Sequence, residues 1–251
     1  MNPTSSPQPL TDPLAAYAAA LRDPAYVLSE AAATAALLRA LDPLVPDEWP
    51  AFAASWDDLG PDTYMADGGR YRYRRHATYS VGAPDDIRLA PHRPHFQARD
   101  YNALNGGIDR WFEPVVPAIA NGSVLRAILA LAARVFTRAE PAPRWDVEVH
   151  QFRIVAEAGH EGRPTPEGVH RDGVDFVLVL LVRRENIASG RTDLYDGERR
   201  PVASFTLTEP LSAVFLDDRR LAHGVTPVTP LDASRPSYRD VLVVTFRRLA
   251  A

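Results

Sequence analysis

The sequence predicts a mainly β protein with flanking helices, and two observations carry that prediction. Beyond Pro143 the chain consists of short runs rich in β-branched and apolar residues, separated by turn residues, which is typical of a β-sandwich or a barrel. Before Pro143 several alanine- and leucine-rich segments have helical periodicity. We therefore expect a β-barrel core over residues 143–251 with helices packed on its outside.

Residues 1–60 are predicted to form a helical flank. A Pro/Ser-rich leader precedes three segments with the composition of helices, PLAAYAAALRD, SEAAATAALLRAL and PDEWPAFAASWDDLG. Ser29 stands where an N-cap would begin the second helix, and Gly60 follows the third.

Residues 61–142 are predicted to support the barrel. The segment RYRYRRHATYSV, over 70–81, alternates as a strand does, and GSVLRAILALAARVF, over 122–136, has helical periodicity. The predicted strands of the core follow in the order DVEVHQFRIVA, VDFVLVLLV, RTDLYD, VASFTLTE, LSAVFLD, RLAHGVTPV and DVLVVTFRR. A chain of 251 residues fits one large domain or two small ones, and we expect one domain over 1–251.

Composition excludes several classes of function. The formal net charge of −4 argues against a surface that binds nucleic acid, because such binding depends on neutralising phosphates. The chain has no cysteine and no lysine, which excludes thiolate chemistry, zinc fingers and a lysine Schiff base. Any metal must then be held by His, Asp or Glu. No secretory signal or bilayer-spanning stretch is evident, so we expect a cytoplasmic protein without a membrane partner.

The segment PEGVHRDGVDF, over 166–176, predicts metal ligands. In an extended chain residues i and i+2 project from the same face, so His170 and Asp172 point together. His223, in RLAHGVTPV, supplies a third ligand at the start of a β-branched run. Two imidazoles and one carboxylate make the facial triad that leaves positions on Fe(II) open for a co-substrate and oxygen. We predict that His170, Asp172 and His223 are the metal ligands and the catalytic centre.

The segment RPSYRDVLVVTFRR predicts an anion site. An iron oxygenase that uses 2-oxoglutarate must neutralise the distal carboxylate of that co-substrate, and an arginine fork on a barrel strand suits the task. Arg239 opens such a strand, whereas its competitor Arg235 precedes Pro236 and is expected in the connecting turn. Gln151, in VEVHQFRIV, is a second candidate for contact with 2-oxoglutarate.

Three other charged residues are candidates for substrate binding. Arg153 shares one strand face with Gln151, Arg74 belongs to an alternating Arg/Tyr run, and Asp175 follows the His-x-Asp motif. A free amino acid needs an arginine for its carboxylate and an acid for its amine, so we expect Arg74, Arg153 and Asp175 near the substrate. The alternative is that these side chains face solvent.

The remaining histidines are predicted to be surface or hydrogen-bonding residues. His76, His92, His95 and His160 have no partner at the spacing of metal ligands. Asp217 and Asp218 fit an ordinary turn between AVFL and RRLAH.

The segments PEGVHRDGVDF, LAHGVTPV and YRDVLVVTF together resemble the bacterial 2OG-Fe dioxygenase family that includes the free L-amino-acid hydroxylases, most clearly over 150–248. The resemblance implies a double-stranded β-helix (jelly-roll) fold with Fe(II), 2-oxoglutarate and O2. It matches His170, Asp172 and His223 to the family's metal ligands and Arg239 to its arginine. It also implies that a small molecule such as a free amino acid is hydroxylated, with release of succinate and CO2.

Two alternatives to the oxygenase remain open from the residues alone. The same barrel could hold Zn(II), Mn(II) or Ni(II) without 2-oxoglutarate, because the three ligands do not by themselves select iron. The barrel could also serve as a non-catalytic small-molecule sensor in stress or biofilm physiology. Neither the oligomeric state nor the carbon hydroxylated follows from the sequence.

Overall fold

The computed structural model describes residues 12–82, 86–102 and 104–249. The predicted Pro/Ser-rich leader falls largely on residues 1–11, which lie outside the described residues. The helices are α1 (Pro13–Arg22), α2 (Ala31–Leu41), α3 (Val45–Ala54), α4 (Pro117–Ala120) and α5 (Ser123–Ala139), and a single 3-10 turn, Ser55–Asp58, follows α3.

The strands lie where the alternating and β-rich runs predict them, together with several short additions. They are β1 (Tyr26–Ser29), β2 (Gly60–Pro61), β3 (Arg72–Val81), β4 (Ile87–Leu89), β5 (Trp145–Val155), β6 (Phe176–Glu185), β7 (Ile187–Ser189), β8 (Thr192–Tyr195), β9 (Pro201–Phe205), β10 (Ala213–Asp217), β11 (Ala222–Val225), β12 (Val228–Pro230) and β13 (Tyr238–Arg248). The short strands β1, β2, β4 and β7 have no run long enough for the sequence to predict them.

The predicted N-cap at Ser29 is wrong. Ser29 is the last residue of β1, and its hydroxyl hydrogen-bonds with the hydroxyls of Tyr17 and Thr34, each at 2.7 Å. Glu30 occupies the cap position of α2 without a side-chain bond. The pairing of β1 with β10 therefore takes precedence over the local capping preference.

Antiparallel pairing builds one large sheet and two small ones. The large sheet has the order β1-β10-β6-β13-β5-β3-β2, with β4 paired to β3. The small sheets have the orders β11-β8-β9 and β12-β7. This arrangement confirms the predicted mainly β fold with flanking helices.

The helices cover one face of the large sheet. On β5, Trp145, Val147 and Val149 point into a hydrophobic cluster that also contains the buried side of α5. Phe136 of α5 stacks on Phe176 of β6 with ring centroids 4.8 Å apart. Because side chains alternate across a strand, every second residue of the central strands is committed to this apolar core.

The opposite face of the same strands lines a pocket. On β5 the pocket residues are Asp146, Glu148, His150, Phe152 and Ile154, which have the other parity from the core residues. β3, β13, β8 and β11 supply further lining side chains, so the pocket is bounded by strands of both the large sheet and a small one. The central strands are consequently buried on both faces, one apolar and one rich in charge.

None of the helices in the described part of the chain combines the length and the apolar character needed to cross a bilayer.

Candidate metal centre

The structure brings the three predicted ligands together at one wall of the pocket. His170 and His223, the latter on β11, face each other across an antiparallel bridge whose two N–H···O distances are 2.9 and 2.8 Å. His170 Nε2 lies 3.6 Å from Asp172 Oδ1, and His223 Nε2 lies 3.8 Å from Asp172 Oδ2. One ligand atom from each of the three residues lies within 4.8 Å of the others. Such a cluster of two nitrogens and one oxygen can hold a divalent metal ion.

Hydrogen bonding, burial and charge set the protonation of these three side chains before a metal binds. His170 Nδ1 lies 3.0 Å from the Gly168 carbonyl oxygen, and donation there leaves the Nε2 lone pair directed at the centre. Burial opposes a charge on Asp172, yet His170 and His223 hold the pKa of its carboxyl well below the usual range. Burial and the neighbouring His170 lower the pKa of His223 to about 4. An ionised carboxylate and a neutral imidazole are the forms that ligate metals, so Asp172 and His223 already have the required charge. Although burial opposes a charge on His170, Asp172 and Glu167 raise its pKa to about 9, so a metal must displace the proton from its Nε2.

Asp218 holds the backbone of the ligand loop in place. Its carboxylate is buried and accepts N–H bonds from Asp172 at 2.9 Å, Gly173 at 2.8 Å and Val174 at 3.1 Å. The prediction of an ordinary turn for Asp218 is therefore incomplete, because its side chain acts on a loop far away in the sequence. Burial, together with the charge on Asp172, raises the pKa of Asp218 to about 7.

Arg239 lies in the same pocket as the three ligands, with Val241, Val243 and Thr245 of β13 on its face of the strand, as the sequence predicts. Arg239 is only 3% exposed, and its Nε has no hydrogen-bond partner among the described residues. Burial and the nearby Arg184 lower its pKa to about 10. An unpaired buried guanidinium is costly, so a carboxylate ligand would stabilise it.

The competitor Arg235 lies elsewhere. It is exposed, follows a turn that begins at Asp232, and pairs with Glu185 at 3.0 Å. This position agrees with the expectation from Pro236, and of the two candidate arginines only Arg239 lines the pocket.

The structure contradicts the predicted orientation of Gln151 and Arg153. Both have the parity of Val147 and Val149 and lie on the face of β5 turned away from the pocket. The Gln151 side chain donates to Ser55 Oγ at 2.8 Å. Polarity is a poor guide here because both faces of this central strand are covered.

Arg153 belongs to a network of ion pairs on that outer face. Its guanidinium donates to Asp240 at 2.7 and 2.8 Å and to Asp57 at 2.9 Å. Arg183 donates to the same two aspartates, at 2.9 Å to Asp240 and 2.7 Å to Asp57. Asp240 is fully buried, and it fixes β13 at the residue next to Arg239.

We expect Asp240→Ala to lower the free energy of unfolding by about 3–5 kcal/mol, because it leaves two guanidinium groups without their buried partner. Urea denaturation measures this change. The matched control is Asp57→Ala, which removes the exposed aspartate of the same network and should cost less than about 1 kcal/mol. Equal losses in the two variants would contradict the importance assigned to Asp240.

Asp175 also lies away from the pocket, contrary to the prediction. Its carboxylate accepts the backbone N–H of Arg248 at 2.7 Å and contacts Arg219 at 3.4 Å. These contacts fix the start of β6 against the end of β13. Of the three predicted substrate residues, only Arg74 lines the pocket.

Arg74 is buried, and its guanidinium already pairs with Asp62. It lies 3.5 Å from Asp62, donates to His150 Nδ1 at 2.7 Å, and stacks over Phe112 with its guanidinium carbon 3.6 Å from the ring centroid. Burial is the main cause that lowers its pKa, to about 9. Arg74 therefore shapes the pocket wall more than it offers a free cation.

A second cluster, His76, His95, Glu148 and His150, converges beside Arg74. His95 Nδ1 lies 2.5 Å from Glu148 Oε2, and Nε2 of His76 and of His150 each lie 3.5 Å from that oxygen. The prediction that His76 and His95 lack partners at metal-ligand spacing is thus wrong. The sequence signal was available, because Glu148 and His150 share one face of β5.

The hydrogen bonds of this cluster favour a proton-sharing role over metal binding. Arg74 always donates, so His150 must accept at Nδ1 and carries its proton on Nε2, facing Glu148. That tautomer has no lone pair to offer a metal at Nε2. Although burial opposes a charge on Glu148, the surrounding imidazoles hold the pKa of its carboxyl far below the usual range. His95 is within hydrogen-bond distance of this carboxylate, whereas both ring nitrogens of His76 lack a hydrogen-bond partner among the described residues.

Two residues of the pocket were not predicted from the sequence. Arg110 and Glu167 each line the pocket and each have a buried polar atom without a partner among the described residues. Arg110 stands in a loop without periodicity, and Glu167 stands three residues before His170. Only the folded chain shows that these charges face one cavity.

The sequence and the fold of this chain are similar to those of known proteins. The family model described as 2OG-Fe dioxygenase matches residues 53–245. A curated relative, 3(1)-hydroxy-L-isoleucine 4-dioxygenase of Pantoea ananatis (strain AJ13355), is 22% identical over 205 residues, which cover 80% of this chain and 82% of that protein.

Solved structures agree with this fold. A bsmA homolog from Methylobium petroleophilum PM1 is 37% identical with a TM-score of 0.83, covering 94% of this chain and 93% of that one. IDO from Bacillus thuringiensis has a TM-score of 0.77 at 16% identity, covering 94% of this chain and 100% of that one. Together with the sheets described above, these comparisons confirm the double-stranded β-helix fold.

Proposed function

The chain belongs to the 2OG-Fe dioxygenase family, whose members use Fe(II), 2-oxoglutarate and O2, and from this premise we propose that it hydroxylates a free L-amino acid. In the overall reaction one C–H bond becomes C–OH, while 2-oxoglutarate and O2 become succinate and CO2. Membership in this family favours an oxygenase over a non-catalytic sensor or a barrel that holds another metal.

His170, Asp172 and His223 are the proposed iron ligands and catalytic centre. Their donor atoms converge, and the set of two nitrogens and one oxygen leaves positions open for 2-oxoglutarate and oxygen. When bound, Fe(II) with its co-substrate supplies the oxidation of the C–H bond. The chain's own residues orient the reactants and keep water away.

Arg239 is the proposed partner of the distal carboxylate of 2-oxoglutarate. The observation that carries this proposal is a buried guanidinium, in the same pocket as the three ligands, whose Nε has no partner among the described residues. Val241 and Val243 form an apolar wall beside it, which strengthens a charged contact by excluding water. Because Gln151 points to the opposite face, we assign it no contact with 2-oxoglutarate.

The proposed amino-acid substrate is supported by the relative from Pantoea ananatis, whose name describes action on a hydroxylated isoleucine. A pocket rich in charged side chains suits a small polar molecule. The test supplies the purified protein with Fe(II), ascorbate and 2-oxoglutarate and screens the common free L-amino acids for stimulated succinate formation. We expect at least one to stimulate succinate and gain one oxygen by mass spectrometry. Stimulation by none would contradict the proposed substrate class.

We expect Asp218→Ala to weaken Fe(II) or Co(II) binding by about 10- to 100-fold, because the loop that presents Asp172 loses three backbone hydrogen bonds. Isothermal titration with Co(II) measures the affinity. Asp232→Ala is the control, since that exposed aspartate makes similar bonds in a distant turn. An affinity unchanged in Asp218→Ala would show that the loop keeps its shape without this carboxylate.

A further inference from the structure

We propose that Arg110 and Glu167 together bind the two charged ends of the substrate, Arg110 its carboxylate and Glu167 its ammonium group, so that the pocket selects an amino acid as a zwitterion. This inference rests on the proposed function and assigns the residues that would make the amino acid the preferred substrate.

Arg110 is a buried cation that lacks a counter-ion. It is 2% exposed, and its Nε has no partner among the described residues. Its guanidinium makes a long contact of 3.5 Å with Gln97 Oε1 and lies 5.9 Å from the centroid of the Phe112 ring. No carboxylate in the described ranges lies within ion-pair distance of it. Arg72, also on the pocket wall, is by contrast paired with Asp62 at 2.8 Å. Among the described residues, the buried pocket arginines without a carboxylate in ion-pair distance are Arg239 and Arg110, which matches two carboxylate-bearing ligands.

The backbone holds Arg110 in a fixed position. Arg110 and His95 exchange both N–H···O bonds of an antiparallel bridge, at 2.9 and 3.0 Å, so their side chains lie on the same face. Both side chains line the pocket. A cation prepositioned in this way loses little entropy when it binds an anion.

Glu167 supplies the opposite charge at the metal centre. Its Oε1 lies 3.5 Å from His170 Nε2, and its Oε2 is buried without a hydrogen-bond partner among the described residues. Glu167 and Arg110 interact electrostatically without forming a direct ion pair. Outside the proposed ligand set, the other acids of the pocket in the described ranges are Glu148, which accepts from His95, and Asp146, which pairs with Arg93. Glu167 is then the anion available for an ammonium group.

One side chain connects this pair to the metal centre. The Gln97 amide oxygen is contacted by Arg110 and by Asn102 at 3.0 Å, and its amide nitrogen donates to the backbone carbonyl of Asp172 at 3.3 Å. The Gln97 amide therefore connects Arg110 to the proposed ligand Asp172, and Glu167 contacts the proposed ligand His170. A zwitterion held by both would lie beside the proposed ligand residues.

The test compares three compounds with the wild-type protein in the presence of Fe(II), ascorbate and 2-oxoglutarate. They are the free amino acid that best stimulates succinate formation in the panel, its primary amide and its deaminated acid. We expect kcat/KM for the amino acid to exceed that for each analogue by about 100-fold or more, because a site built around a charged group rejects compounds that lack it.

The variants separate the two ends of the substrate. Arg110→Met should lose the preference for the amino acid over its primary amide but keep the preference for the amino acid over its deaminated acid. Glu167→Gln should show the reverse. Arg110→Lys, which keeps a cation, should retain part of the first preference, and it replaces Arg110→Met if that variant does not fold. The exposed pair Arg163→Met and Glu161→Gln serves as control, and both preferences should persist there.

The outcomes distinguish this inference from the proposed function. Succinate formed only in the presence of an amino acid, with both preferences intact in Arg110→Met and Glu167→Gln, would overturn the assignment of the two residues and leave the hydroxylase standing. Variants that lose both preferences equally would also overturn it, because a general structural role would then explain the effect. Stimulation by no amino acid would overturn both the proposed amino-acid substrate and the roles of Arg110 and Glu167. Succinate formed without a substrate would still demonstrate 2-oxoglutarate oxygenase activity.

Discussion

Asp172→Ala is expected to abolish substrate-dependent succinate formation, with a loss of about 1000-fold or more, equivalent to a barrier about 4 kcal/mol higher. Asp172 provides the only carboxylate of the proposed triad and lies between His170 and His223 at 3.6 and 3.8 Å. Removing it leaves two imidazoles, which hold Fe(II) far more weakly. Turnover and bound iron, measured on the same sample, check this expectation, and His170→Ala should behave alike.

The control for this variant is Asp196→Ala. Asp196 is an aspartate of a distant turn, paired with Arg200, and its removal should leave both turnover and iron content close to the wild type. A protein that keeps stoichiometric iron and normal turnover after Asp172→Ala would contradict the proposed ligand set.

Arg239→Met is expected to raise the KM for 2-oxoglutarate by about 100- to 1000-fold. Loss of one partner from a buried, hydrogen-bonded charge pair costs about 2–5 kcal/mol, and each 1.4 kcal/mol is a factor of ten. Since methionine fills similar space, the fold should persist. Initial rates at increasing 2-oxoglutarate, under saturating substrate, measure the change.

The matched control is Arg235→Met, which removes the exposed arginine paired with Glu185. Its KM for 2-oxoglutarate should remain within about twofold of the wild type, since surface ion pairs contribute little. If Arg239→Met had an unchanged requirement for 2-oxoglutarate, or if Arg235→Met had the larger effect, the assignment of Arg239 would be wrong.

The sequence predicts the parts of the site that depend on local spacing. His170 and Asp172 are two residues apart in an extended loop, and Arg239 shares one face of β13 with Val241 and Val243, so local spacing predicts which side chains lie together. The predicted order of helices and long strands is also confirmed, because each has a periodic apolar pattern. Short strands such as β7, which lack such a pattern, depend on their pairing partners.

The orientation of Gln151 and Arg153 could not be predicted from their polarity. β5 lies between β13 and β3 in the middle of the large sheet and is covered on both faces, so polar residues occur on each. The apolar residues Trp145, Val147 and Val149 give the better signal, because their parity marks the helix-facing side and assigns Gln151 to it. Glu148 and His150 then follow on the pocket side.

Asp218, Arg110 and Glu167 depend on tertiary contacts that no spacing in the chain reveals. Asp218 acts on a loop 46 residues earlier in the chain. Arg110 is held by a bridge to His95, and Glu167 is recognised only by the buried oxygen that it directs into the pocket. Unsatisfied buried charges are visible only once the fold is known.

The most direct test of the proposed iron site is a crystal structure of the protein grown without oxygen in the presence of Fe(II) and 2-oxoglutarate, with anomalous scattering used to locate iron. The proposed ligand set predicts one strong peak about 2 Å from His170 Nε2, His223 Nε2 and a carboxylate oxygen of Asp172, with 2-oxoglutarate extending to Arg239. A peak among His76, His95, Glu148 and His150, with none between the three proposed ligands, would contradict it.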